Sequence, residues 1–252
     1  MNKKKLCLLL VLSVTFAIAQ RAIPDTIQSK EGPIIIQPIT HGTLVLKWKE
    51  NTIYVDPYGG AEAFNNIDAP SLILITDIHG DHTDLETLKG LNTQNANFIV
   101  PPAVADILNK DYEKQITVIK NGGMSVHGDI FINALPMYNL PEVADSKHPR
   151  GRGNGYFINL GGKTIYISGD TEDIKEMRDL RRIDVAFISM NLPYTMDIHQ
   201  AANAVLDFKP KIVYPYHYRG NPNISDTEAF KKLVNSKNKK IEVRLKNWYP
   251  NN

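Results

Sequence analysis

The chain has 252 residues, 29 of them Lys or Arg against 27 Asp or Glu, and a single cysteine, Cys7. Setting aside Lys3, Lys4 and Lys5 leaves 26 basic against 27 acidic residues, a formal charge of −1. This excludes a disulfide-stapled scaffold, leaves no positive excess for nucleic acid or an anionic membrane surface, and suits one substantial domain.

Residues 1–19 carry a basic start, an apolar stretch 6–19 too short to span a bilayer comfortably, and Ala17-Ile18-Ala19 as a small-x-small cleavage site. They read as a secretory signal peptide, with an uncleaved anchor as the alternative, so the protein is expected to be periplasmic or secreted. Cys7 opens the apolar run instead of ending it, unlike a lipoprotein cysteine. No later segment is apolar enough to cross a membrane. Residues 20–32 read as a loose polar leader, and 33–252 as a single domain without repeats.

Strands are expected over 33–39, 43–48 and 52–55, turning at His41-Gly42 and at Lys49-Glu50-Asn51. His41 is either an exposed turn histidine or part of a site lining. The third strand ends in Asp56-Pro57-Tyr58-Gly59-Gly60, a strand-end loop of the kind on which sites are built. Then comes the stretch 71–84, SLILITDIHGDHTD. Its apolar half has the β-branched content of a buried strand, and it breaks at once into Asp77, His79, Asp81, His82 and Asp84. In extended backbone Asp77, His79 and Asp81 face the same way while His82 begins a turn, so one loop can serve two adjacent metal ions.

Further on, 85–91 reads as a helix capped by Asp84, 97–100 as a strand, and 103–110 as a helix opened by Pro101-Pro102. Segments 116–119, 124–126 and 130–135 read as successive antiparallel strands, with His127 a turn residue. The aperiodic loop 136–154 carries Lys147, His148, Arg150 and Arg152 among glycines. A hairpin, 156–160 with 163–168, ends at Gly169-Asp170; a helix over 173–180 and a strand over 185–190 follow. Helix 198–208 carries His199, which reads as structural. Strand 211–216 delivers His217, flanked by Tyr216, Tyr218 and Arg219, before a helix over 226–234 and a strand over 241–245. Strands first and then alternating with helices, in both halves, predict an α/β fold: a four-layer αββα sandwich.

Asp77-x-His79-x-Asp81-His82 resembles the H-x-H-x-D-H signature of the metallo-β-lactamase superfamily, with Asp77 in place of the first histidine. His-Pro-Arg-Gly from His148, Gly-Asn-Gly-Tyr at 153–156, SGDTEDI at 168–174, YTMDIHQAANAV at 194–205 and YPYHY at 214–218 are similar to the branch of L-ascorbate-6-phosphate lactonase-like hydrolases. The resemblance spans 33–245. It implies one ion on Asp77, His79 and His148, a second on Asp81, His82 and His217, and Asp170 bridging them. Two divalent ions are implied, Zn²⁺ first, with Mn²⁺ or Fe²⁺ also suiting the donors. An exported hydrolase is expected, cleaving a small ester, lactone or phosphodiester with a metal-bound hydroxide, and Asp81 and Asp170 as catalytic carboxylates. A thiol-free site and the HPRG loop argue against β-lactam hydrolysis.

Asp77 adds negative charge, which would weaken Lewis acidity and leave single occupancy open. Arg150 and Arg152, with His41 and Tyr218, are the candidate substrate-binding residues, for an anionic small molecule; a solvated loop is the alternative for the arginines. A binding protein that has lost catalysis through Asp77 is the second reading. No nucleic-acid partner is expected.

Overall fold

The structure, a computed structural model, describes residues 21–143 and 145–250; the signal-peptide reading of 1–19 falls outside them. Two seven-stranded sheets account for the chain, one from each half. The first holds β1 (Asp25–Ser29), β2 (Gly32–Thr40), β3 (Thr43–Trp48), β4 (Asn51–Val55), β5 (Leu72–Leu74), β6 (Asn97–Val100) and β7 (Ile116–Val118), side by side in chain order. The second holds β8 (Met124–His127), β9 (Ile130–Met137), β10 (Gly153–Leu160), β11 (Lys163–Ile167), β12 (Val185–Ser189), β13 (Ile212–Tyr216) and β14 (Glu242–Val243).

Each sheet begins antiparallel and turns parallel at its fourth strand. Parallel neighbours need a crossover; α1 (Leu85–Gly90), α2 (Pro102–Tyr112), α3 (Lys175–Arg178), α4 (Ile198–Phe208) and α5 (Thr227–Lys237) supply all but that from β4 to β5, which holds the 3-10 turn Ala61–Phe64. Asp84 accepts the Glu86 and Thr87 N–H groups as the α1 cap, and Asp197 with Gln200 forms a capping box on α4. The halves therefore share a topology, although the sequence shows no repeat.

Side-chain alternation builds the four layers. Leu44, Leu46 and Trp48 of β3, with Ile53 and Val55 of β4, join Ile130, Ile132 and Ile158 of the other sheet in one core. Val45, Tyr54 and Ile73 point the opposite way, onto Leu88 of α1 and Val104 and Leu108 of α2. On the outside of the second sheet, Ala201, Val205 and Phe208 of α4 are buried, with the Phe208 ring edge-on to Tyr166 at 6.1 Å. This is the αββα single-domain sandwich.

Two expectations are corrected. The stretch read as a loose leader contains β1, whose five residues pair with β2 and bury Ile27. The segment 116–119 is not antiparallel to its successor: β7 runs parallel to β6 at the edge of the first sheet, and Asn121-Gly122-Gly123 carries the chain across to the second. Only β8 and β9 form the expected hairpin.

Candidate metal centre

The parallel strands end along one edge, and that is where the polar residues gather, as ligand sites do in open α/β sheets. Asp56 follows β4, the 77–82 loop follows β5, Asp170 follows β11, Asn191 follows β12 and His217 follows β13. His41 (φ 46°), Asp56 (φ 45°) and His217 (φ 44°) all adopt left-handed backbone, which non-glycine residues hold only where surrounding contacts enforce it. Gly169 is left-handed too, and a Cβ there would run into Met137 and Thr76, so the turn that presents Asp170 requires glycine.

Asp170 is the hub. Its Oδ2 lies 3.3 Å from His148 Nε2 and 3.4 Å from His82 Nε2, and its Oδ1 lies 3.3 Å from His217 Nε2. Asp81 Oδ2 is also 3.3 Å from His217 Nε2, and the His82 and His217 Nε2 atoms are 3.3 Å apart. On the other flank, Asp77 Oδ2 pairs with His79 Nδ1 and lies 4.0 Å from His148 Nε2. The potential ligand atoms fall into three groups, each within 4.8 Å: Asp77, His79 and His148; His82, Asp170 and His217; and His41, Asp81 and His217. The first group has the composition expected for one ion. In the other two, His217 is shared, and His41 joins Asp81.

Neighbouring residues fix how the imidazoles face. His82 Nδ1–H donates to Asp56 Oδ2 at 2.9 Å, leaving Nε2 for the cluster. Asp56 is itself held by the Thr76 N–H at 2.7 Å and the Thr76 hydroxyl at 2.6 Å. The His148 N–H donates to Asn139 Oδ1 at 2.7 Å, and the same atom, 3.0 Å away, accepts from His148 Nδ1. Oriented imidazoles of this kind are what metal sites use.

The charges of the cluster suit a cation. Burial opposes ionisation of Asp77, yet His79, His82 and His148 bring its carboxyl down to about 2. Burial likewise opposes the charge on Asp81 and Asp170, and the facing histidines, His217 above all, outweigh it and hold both well below the usual carboxylate range. His82 is pushed the other way, with Asp170 and Asp56 overcoming its burial and raising it well above an ordinary histidine. Asp170 Oδ1 is buried without a hydrogen bond, close to His217 but not in hydrogen-bonding geometry. Two imidazole nitrogens 3.3 Å apart and a buried carboxylate oxygen without a hydrogen bond converge on one point. The donor set fits divalent cations.

The sequence profile of the β-lactamase superfamily domain matches residues 36–217. The chain belongs to the metallo-β-lactamase superfamily. A metal-dependent hydrolase of Pyrococcus abyssi is 33% identical over 205 residues, covering 76% of this chain and 88% of the relative. A solved structure from Parabacteroides distasonis, described as a metal-dependent hydrolase, is 36% identical with a TM-score of 0.79, covering 89% of this chain and 98% of that one. A metallo hydrolase of Ignicoccus hospitalis is 25% identical with a TM-score of 0.72, covering 84% and 94%.

In this member of the superfamily, the substrate-binding candidates part company. His41 joins the cluster, with burial and the neighbouring His217 bringing it down to about 4. Arg152 lies on Asp77, with Nε 3.3 Å from Oδ1 and Nη2 3.4 Å from Oδ2. Arg150 is exposed and paired with Glu142 and Glu176. Tyr218 turns away: its hydroxyl donates to Lys246 O and accepts the Trp248 N–H. Tyr216 is buried beneath the site and accepts the Gly169 N–H at 3.0 Å.

Over the cluster opens a cavity of about 350 Å³, lined by His79, Asp81, Lys147, His148, Asp170, Asn191 and Tyr194 among others. Sequence reasoning missed Asn139, Asn191 and Tyr194. Asn191 Nδ2 lies 3.4 Å from His217 Nε2, and Asn139 Nδ2 donates to Tyr194 O at 2.8 Å. Only the positions of Asn191 after an apolar strand and Asn139 in the long loop could have signalled them.

Proposed function

We propose that this protein is an exported, binuclear metal-dependent hydrolase of a small ester, lactone or phosphodiester, of the lactonase-like branch. The convergence of Asp170 on His148, His82 and His217 at the floor of an open cavity carries the reading. Asp77, His79 and His148 would hold one ion, and Asp81, His82 and His217 the other, with Asp170 between them and zinc favoured by the imidazoles. Bound there, the ions would activate a water and polarise the oxygen of the scissile group.

The chain's own residues divide the remaining work. Asp170 is buried and fixed, and so orients the floor of the site. Asp81 is about one third exposed, lines the cavity and is held ionised, so it can accept a hydrogen bond from a water and orient it toward the substrate. Asn191 can donate to a developing oxyanion.

A binding function without turnover is the second reading, favoured by one observation: Arg152 engages the carboxylate that stands at the first signature position. Metal-reconstituted protein tested on 4-nitrophenyl acetate, a panel of lactones and bis(4-nitrophenyl) phosphate decides between them. Turnover abolished by chelator and by Asp81→Asn is expected. Stoichiometric metal with no turnover on any of them would leave the binding function.

A further inference from the structure

The loop between β9 and β10 carries three cations, Lys147, Arg150 and Arg152, that the sequence does not distinguish. The structure does. Arg150 is shared between Glu142 and Glu176 and lies over the Tyr138 ring at 5.0 Å. Arg152 is engaged by Asp77, and its Nη2 also donates to Lys147 O at 2.6 Å. Lys147 alone of the three lines the cavity, and among the described residues it has no carboxylate partner. Its ammonium stands 5.8 Å from the centroid of the Tyr194 ring. Asn139 fixes the spacing of these two segments by accepting the His148 N–H at 2.7 Å and donating to Tyr194 O at 2.8 Å.

We infer that Lys147, with Tyr194 and Asn191 beside it, forms an anion subsite that selects substrates carrying a phosphate or carboxylate apart from the scissile bond. The inference deepens the hydrolase reading of the same cavity. The cavity floor already holds the carboxylates of Asp81 and Asp170, which repel a ligand's spare negative charge. One exposed, unneutralised ammonium at the rim draws that charge outward, and so sets which end of the ligand lies over Asp170. The cavity holds roughly ten water volumes, which suits a small molecule and not a polymer segment. A lysine serves as a point charge for either oxyanion, so geometry does not choose between phosphate and carboxylate.

Inorganic phosphate and succinate titrated calorimetrically into the metal-loaded protein test the subsite and separate the two oxyanions. Lys147→Ala should weaken binding of at least one by about tenfold and flatten its dependence on salt, and Lys147→Arg should restore most of the loss. Arg150→Ala, already paired and outside the cavity, should stay within about twofold. Equal losses in Lys147→Ala and Arg150→Ala, or no loss in either, would overturn the subsite. Steady-state kinetics then separate this from the hydrolase reading. Lys147→Ala should raise KM for mono-4-nitrophenyl succinate and leave that for neutral 4-nitrophenyl acetate unchanged. Equal KM changes for both esters refute the subsite with hydrolysis intact. Anion binding that depends on Lys147, without turnover of any ester, lactone or phosphodiester, refutes hydrolysis and leaves the subsite standing.

Discussion

Arg152 lays its guanidinium along the carboxylate of Asp77, with Nε 3.3 Å from Oδ1 and Nη2 3.4 Å from Oδ2, and Asp77 is fully buried. The residue that replaces the first histidine of the superfamily signature therefore arrives with its own counter-charge. The extra negative charge at the cluster is partly cancelled before any ion binds.

A metal-dependent stability difference follows from that pairing. Without metal, Arg152→Ala leaves a buried carboxylate short of a partner and should cost about 2 kcal/mol. A cation on Asp77 would repay much of that, so zinc or manganese should raise the melting temperature of Arg152→Ala more than that of the wild type. Asp77→His should raise zinc relative to manganese and shift the rising limb of the pH–rate profile to lower pH, because the cluster loses negative charge. Melting curves with and without metal, metal analysis and pH–rate profiles check these outcomes. Identical metal-induced shifts and unchanged metal preference would place Asp77 outside the ligand set.

Asp170 should be the most costly ligand to lose. It reaches His148 on one flank and His82 and His217 on the other, each within 3.4 Å. Asp170→Ala should therefore abolish turnover and lower the content of both ions, where His41→Ala affects one. Full metal stoichiometry with turnover in Asp170→Ala would rule out the proposed arrangement.

Much of this was legible in the sequence because the ligands follow apolar strands, and apolar runs announce strands well. Helix α4 was read with the bounds it has, its capping residue Asp197 lying directly before the amphipathic run. Strand β1 was not legible: Asp25, Thr26, Gln28 and Ser29 are polar, and one buried residue, Ile27, is too little signal. The crossing after β7 looked like a hairpin because Asn121-Gly122-Gly123 has hairpin chemistry, and which sheet a strand joins is decided by partners far along the chain. Pairing hid the substrate side in the same way. Nothing local tells that Glu176 neutralises Arg150 or that Asp77 engages Arg152, 75 positions away.

The exported compartment rests on residues 1–19 alone. The protein isolated from its native host should begin at or near Gln20 and be recovered outside the cytoplasm. Intact-mass spectrometry of that material is the measurement, and a soluble cytoplasmic protein retaining Met1 would remove the signal-peptide reading.

Acid should unfold the metal-free protein through the carboxylates. Asp77 stands at about 2 in the folded chain against an ordinary 3.8, so its contribution is present above that ordinary value and disappears as pH falls towards 2. Its size is about 2 kcal/mol. Asp170, also held well below its ordinary value, contributes in the same direction. With chelator present, Asp77→Asn should be less stable than the wild type at neutral pH, and the two should converge near pH 2. Denaturant titrations across pH check this, and a gap independent of pH would mean Asp77 is not ionised in the metal-free fold.

His41 should distinguish the two proposed ion sites. Its ring is held edge-on by Tyr58 at 5.3 Å, Tyr249 at 5.2 Å and His217 at 5.6 Å, which fixes its orientation in a left-handed backbone position. It shares a potential ligand group with Asp81 and His217, both ascribed to the second ion, and with none of Asp77, His79 or His148. Burial and His217 bring it to about 4, so at neutral pH it is uncharged and has a lone pair to offer. His41→Ala should therefore weaken the second ion by roughly tenfold to a hundredfold, the range for a ligand or its immediate support, and leave the first unchanged. Tyr249→Phe removes the hydroxyl 3.5 Å from His41 Nδ1 and should give a smaller loss at the same site. Chelator competition resolves the two affinities separately. If His41→Ala lowers both equally, or lowers only the melting temperature, the histidine packs the loop and does not act on the second ion.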